Sequence, residues 1–421
     1  MTSIVAGWEG CETSTFRTAT PVDARAAVVE QAAVGTPAAV RIGKPGRGHR
    51  QEGTAALDAP RGPPHRVPVD NLAHALVGAA LGRAVGDPRV PRAALLGAVA
   101  ANAPDWAELF IGLPADRSTF LVLHRGITHS LVGALIETIG LTLLVGLGAR
   151  WWVRRRGGVA PEWGWLALCI GITVLSHLYM DWQGSYGLRP LLPWNATWYY
   201  GDWIAIVDPF FWLLPLIALA WGAQRHWIPL AAVLAVGGLM TFLVVWQADV
   251  IAPWVLALYG TLSVVAAVGW VHYWIGPVAR RRAAVFAVLG LALYAAAQGT
   301  VAHIEKAAVQ REAQRRFGPG ARSAALTRAG SPFTWEPIYA SADTIAGDGW
   351  RSPRHLDVPA VQRALRETRE GRAMAQFARF LLAEVDSIGG DDVTVYLRDA
   401  RYARGGRSGW GVVRVSLIRG P

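Results

Sequence analysis

Cysteine is nearly absent. The 421 residues hold only Cys11 and Cys169, too far apart in sequence to suggest a disulfide framework, and Cys169 falls within an apolar run. Charge is scarce too: 17% of residues are charged against 52% hydrophobic, and the mean hydropathy is positive. A single soluble globule is excluded on that balance. Residues 1–68 lack both a sustained hydrophobic period and the apolar core of a signal peptide. They read as a disordered extension, or as untranslated sequence if Val69 is the true start, read from a GTG codon. No long internal repeat is evident.

What the chain has instead is a succession of apolar windows, each close to the 17–25 residues that cross about 30 Å of hydrocarbon. They fall at roughly 71–86, 92–112, 127–149, 163–181, 203–222, 227–247, 251–275 and 283–302. Tryptophans such as Trp151, Trp163, Trp203, Trp227, Trp254 and Trp274 gather near their ends, where an amphipathic ring meets the headgroups. The reading is an all-α polytopic membrane protein of about eight transmembrane helices, residues 69–303, followed by a small α+β soluble domain, residues 304–421. In that tail, 358–385 has helical spacing, while 392–403 and 409–418 read as strands flanking the Gly405-Gly406 turn.

A net charge of +11 would suit nucleic acid, but its distribution excludes that partner. With eight spans, the loops on one side carry 11 Lys or Arg, including Arg150, Arg154 to Arg156 and Arg280 to Arg282. The opposite loops carry three: Arg117, Arg125 and Arg189. By the positive-inside rule the arginine-rich side is cytoplasmic, and the C-terminal domain is expected on the other face of a cell membrane, with lipids as neighbours.

The ionisable residues sort onto the same non-cytoplasmic ends. His74 opens the first window, Asp105 lies in the second, His124 and His129 open the third, His177 and Asp181 close the fourth, and Asp202 and Asp208 open the fifth. A buried carboxylate at a helix centre costs about 2.5–3.5 kcal/mol, so acids and imidazoles gathered at one depth need compensation. A divalent metal supplies it. His177 and Asp181, four residues apart, share a helical face, and Gly126 leaves His124 in a turn from which it can point inward beside His129. Glu137 and His272 lie deeper and read as interhelical hydrogen-bond partners; His303 and Asp249 are weaker accessories.

These segments, DNLAHALVGAALGRA, ANAPDWAEL, HRGITHSL and SHLYMDWQGSYGLRPLLPW with the following DWIAIVDPFFW, resemble the membrane-bound metal-dependent hydrolases of the YdjM type. The resemblance implies a multi-pass bacterial inner-membrane hydrolase whose metal site is His74, Asp105, His124, His129, His177 and Asp181. Where the family often has a second acid after the Pro-Asp pair, this chain has Ala107, with Glu108 adjacent. A more distant likeness to zinc-dependent phospholipases C and P1-type nucleases tilts the expected substrate toward phosphoesters.

The expected mechanism is hydrolysis by metal-activated water, with one or more Zn²⁺ or similar ions. Glu108, Asp202 or Asp208 would serve as base or orienting group, and Arg125 and Arg189 would clamp an anionic substrate. The 183–194 loop reads as an ordered cover over the site, and a phosphoester or lipid-linked substrate is expected. An ion or metal transporter, or a noncatalytic scaffold with a structural metal, are the rival readings.

Overall fold

The computed structural model describes residues 69–111, 117–223, 227–248, 251–272, 276–387 and 392–418. The expectations for residues 1–68, including the start at Val69, lie outside them, as do Asp249 and the side chain of Glu108.

Among the described residues four helices are long and apolar enough to cross a bilayer, so eight spans are not supported. They are α5 (Leu131–Arg156), α6 (Trp163–Gln183), α9 (Pro253–His272) and α10 (Pro277–Phe317). Between α6 and α9 lie α7 (Pro209–Ala223) and α8 (Trp227–Trp246), whose apolar stretches, Pro209–Ala223 and Leu230–Trp246, are shorter. The expected second span fails for a local reason: a turn at Ala101-Asn102 splits it into α2 (Ala93–Ala100) and α3 (Ala103–Ile111). At 1.5 Å per residue each piece covers only about 12–14 Å. A short α4 (Arg117–Leu123) and a 3₁₀ turn (Ile127–His129) lead into α5.

α1 (Val69–Gly86) and α2 form an antiparallel pair held at backbone contact. A Cβ added to Gly97 would stand 2.1 Å from the Gly78 carbonyl oxygen, and one added to Gly78 would stand 2.4 Å from that of Gly97. Small residues spaced along one face allow this approach, as in membrane helix dimers. The pair shares its apolar core with the later helices through Leu76, Phe211, Trp212, Met240, Val255 and Leu291.

Helix ends follow their chemistry. Ser130 caps α5 by accepting the Gly133 amide at 3.0 Å, and Arg154, Arg155 and Arg156 occupy its last turn, where the helix dipole favours cations. Asp208 caps α7, accepting from the amides of Phe210 and Phe211. Arg281 donates to the Ala84 carbonyl and Arg280 to that of Gly222, joining the ends of α10, α1 and α7.

α10 runs 41 residues without a break, about 60 Å, or twice the hydrocarbon thickness. It crosses the expected domain boundary at 303/304 and continues as a stalk that packs through Val309 and Ala313 against the C-terminal domain. That domain holds two antiparallel sheets. The first, β1 (Arg322–Thr327) to β4 (Trp350–Pro353) through β2 (Trp335–Ala340) and β3 (Thr344–Gly347), is a meander that the sequence reading had not anticipated.

The second sheet is β5 (Leu381–Ser387), β6 (Asp392–Asp399) and β7 (Val412–Ile418), in that order. β6 and β7 fall where strands were expected. The helix expected over 358–385 is instead α11 (Pro359–Glu367), α12 (Arg369–Phe377) and β5. Thr368 divides the helices by capping α12 through the Gly371 amide, and the 381–387 segment gains a ladder partner in β6. Leu121 of α4 and Tyr186 after α6 are buried with Val361, Met374, Phe377 and Leu397 in the core of this domain.

The α1–α2 contact yields a stability prediction. Gly97→Ala should lower the melting temperature in detergent, by about 1–3 kcal/mol of stability. Gly148→Ala, whose Cβ would meet nothing within 4 Å, should be neutral or stabilising by about 0.5–1 kcal/mol. Equal melting temperatures for the two variants would show that the close backbone approach is not energetically important.

Candidate metal centre

Four ligand atoms from three elements converge, Asp105 from α3, His129 from the 3₁₀ turn and His177 with Asp181 from α6. His177 Nε2 lies 3.1 Å from His129 Nε2, and His129 Nε2 lies 3.1 Å from Asp105 Oδ1 and 3.4 Å from Asp181 Oδ2. His177 Nε2 stands 3.6 Å from Asp105 Oδ1 and 3.5 Å from Asp181 Oδ2. A tetrahedral ion with bonds of about 2.0–2.1 Å would have ligand–ligand edges of about 3.3–3.4 Å. The five separations scatter around that value.

The surroundings prepare these atoms for ligation. His177 Nδ1 is 2.7 Å from the Ala101 carbonyl, which can only accept; Nδ1 therefore carries the proton and the Nε2 lone pair faces the group. The turn that breaks the second span thus supplies the acceptor that orients a ligand. Asn71 Nδ2 donates to Asp105 Oδ2 at 2.6 Å, and Thr128 Oγ1 lies 3.1 Å from His129 Nδ1. Asp181 divides its oxygens: Oδ1 meets Arg125 Nη2 at 2.8 Å, while Oδ2 is buried without a hydrogen-bond partner. An orphaned carboxylate oxygen facing two imidazole nitrogens fits a cation.

His129 and His177 are fully buried and His74 is 1% exposed. His74 stacks on His177 with ring centroids 3.8 Å apart and places Nε2 3.5 Å from Asp181 Oδ1. The described residues therefore give two overlapping groups able to hold an ion, Asp105–His129–His177 and His74–His177–Asp181.

Other expected site residues lie elsewhere. The His124 ring centroid is 6.5 Å from that of His129; it stacks on Phe120 and meets Tyr186 edge-on. Arg125 is buried at φ +51° and directs Nη1 to the carbonyls of Asp181 and Gly187, at 3.0 and 3.2 Å. Arg189, also buried, donates to the Val122 carbonyl at 2.7 Å and stacks over Trp198. Both guanidinium groups are bound to protein carbonyls, and Arg125 in addition lines a cavity. Asp202 forms a two-pronged pair with Arg379 at 3.0–3.1 Å, and Asp208 receives Tyr294 and Gln298 besides capping α7. Both acids are spent on holding elements together.

A cavity of about 360 Å³ adjoins the group, lined by Asp181, Arg125, His124 and Gln183 on the membrane side and by Thr327, Arg401, Tyr402 and Trp410 on the C-terminal side. The loop after α6 is fixed from both directions. Arg125 takes the carbonyls of Asp181 and Gly187, and Arg401 those of Ser185 and Tyr186 at 2.8 and 3.1 Å. Asp399 pairs with Arg401 at 2.7 Å, and the Thr327 amide donates to Ser185 Oγ.

Sequence reasoning missed Asn71, Gln183 and Arg401. Asn71 stands one helical turn before His74 inside a segment already singled out, a spacing that could have revealed it. Arg401 had no such signal, because only the fold brings residue 401 to residue 185.

Replacing His177 and Asp181 together by Ala should lower zinc affinity beyond the range measurable for the wild type, and Asn71→Ala should lower it by about 10–100-fold. Metal analysis and competition titration of the purified proteins test this. Wild-type zinc content in the double variant would remove both residues from the ligand set.

Comparison with known proteins supports the same region. No curated protein and no solved structure matches the chain. The family model described as YdjM inner membrane protein matches residues 69–252, a stretch that contains every converging ligand and stops short of the C-terminal domain. By that match the stretch at 69–252 is similar to the YdjM inner membrane protein family.

Proposed function

We propose that this protein is a membrane-bound metal-dependent hydrolase acting on a phosphoester or lipid-linked substrate at the non-cytoplasmic face. The observation that carries the reading is the pair of overlapping groups Asp105–His129–His177 and His74–His177–Asp181 beside a cavity large enough for a small substrate moiety. Zn²⁺ suits the nitrogen and carboxylate donors and the tetrahedral edges. When bound, such an ion lowers the pKa of water and polarises a scissile oxygen.

The remaining chemistry belongs to the chain. Arg125 balances the charge of Asp181 and fixes its Oδ1, leaving Oδ2 for the ion. His124 lies outside the converging atoms but on the cavity wall, where an imidazole nitrogen can move a proton to or from a substrate. This assigns it a proton-transfer role in place of ligation. Tyr186 and Trp410 meet that imidazole edge-on, with ring centroids 4.9 and 6.4 Å away.

Orientation follows from the arginines. Arg83, Arg150, Arg154 to Arg156 and Arg280 to Arg282 belong to helix ends remote from the ligands, which supports a cytoplasmic place for them and a non-cytoplasmic one for the site. A hydrolase is favoured over a transporter because the cavity beside the converging groups is walled in part by Thr327, Arg401, Tyr402 and Trp410 of the C-terminal domain.

Zinc-dependent hydrolysis of a panel of phosphomonoesters, phosphodiesters and short-chain phosphatidic acid by the detergent-purified protein tests the proposal. Activity should vanish in the His177→Ala/Asp181→Ala variant. His124→Gln should retain zinc while kcat falls by about 10²–10⁴-fold. Zinc-loaded protein inert toward the entire panel would overturn the substrate reading, and zinc loss in His124→Gln would return His124 to the ligand set.

A further inference from the structure

Gln183 ends α6 two residues after Asp181, and it is 2% exposed. Its backbone carbonyl is used, accepting from Trp203 at 2.8 Å. Its side chain is not: neither Nε2 nor Oε1 has a hydrogen-bond partner, although the residue lines the cavity shared with Asp181, His124 and Arg401. Buried amides are ordinarily satisfied, and one left open is destabilising. An apolar residue of similar length would remove that penalty.

We propose that Gln183 is the substrate-recognition residue of this site and that its amide receives a phosphomonoester in its monohydrogen form. The proposal rests on the hydrolase reading above and narrows its substrate class. A side-chain amide presents a donor and an acceptor on one edge. Its two-point complement is an X(=O)–OH group, whose oxo oxygen accepts from Nε2 and whose hydroxyl donates to Oε1. A P(=O)–OH unit meets that requirement beside a metal centre. A phosphodiester anion has only acceptors and leaves Oε1 facing like charge.

The position of Gln183 supports this role. His177 and Asp181 lie on the same last turns of α6, so the amide is held by the helix that carries two ligands. The Arg125 and Arg401 contacts to the carbonyls of residues 181 and 185–187 keep that end from fraying. The cationic groups on the wall are already engaged, Arg125 by Asp181 and Arg401 by Asp399. Selection between phosphate classes therefore falls to the neutral amide.

The test uses the full chain in detergent, loaded with zinc, and measures binding of inorganic phosphate and of dimethyl phosphate, which lacks the hydroxyl, by calorimetry. Gln183→Leu should weaken inorganic phosphate by about tenfold or more and dimethyl phosphate by less than about threefold, a difference of differences that isolates the amide contact. The ligand-free Gln183→Leu protein should melt at or above the wild-type temperature, since it loses an unsatisfied buried group and no contact. Equal weakening of both anions, no phosphate binding by zinc-loaded wild type, or a lower melting temperature would each overturn the assignment. Failure of the hydrolase reading is seen separately: wild-type protein then holds no zinc, or the His177→Ala/Asp181→Ala variant keeps it.

Discussion

Two imidazoles 3.1 Å apart, each within 3.1–3.6 Å of two carboxylates, form an arrangement that a cation stabilises and that is unfavourable without one. Mutual repulsion of the acids and the loss of hydration both oppose it. Much else in the structure serves that point. Asn71 fixes one carboxylate, Arg125 neutralises part of the other, and the Ala101 carbonyl chooses the tautomer of His177.

The broken second helix shows how such a point is built in a membrane protein. A continuous span would have satisfied its own carbonyls; the Ala101-Asn102 turn releases one of them to a ligand. Irregular backbone is tolerated at membrane depth where protein covers it, and here α1 and α6 provide the cover through the Gly78–Gly97 contact and the His74–His177 stack. The two arginines that grip the loop after α6 come from opposite sides, one from the metal group and one from the C-terminal domain. The extramembrane domain is therefore part of the cavity wall and of the scaffold for the ligand helix.

The metal group was legible in the sequence to the extent that ligands and acids recurred at window ends. His74, Asp105, His129, His177 and Asp181 come together as that sorting suggested, because helix ends at one depth become neighbours once the helices pack. His124 does not join them: its ring is held between Phe120 and Tyr186, and neither contact has a local signature. Asp202 and Asp208 do not join them either: their partners, Arg379, Tyr294 and Gln298, are supplied by distant segments. The count of spans failed because hydropathy windows average over a turn such as Ala101-Asn102 and over helices that shelter inside the protein. The β1–β4 meander escaped notice since its short strands carry no long alternating run.

The order in which the polypeptide emerges gives the cavity wall a further meaning. All converging ligands precede residue 182, whereas Arg401, Tyr402 and Trp410 follow the 41-residue α10 in the chain. In the order of synthesis the convergent imidazoles and acids therefore come first, and this part of the cavity wall is added only after α10 has been made.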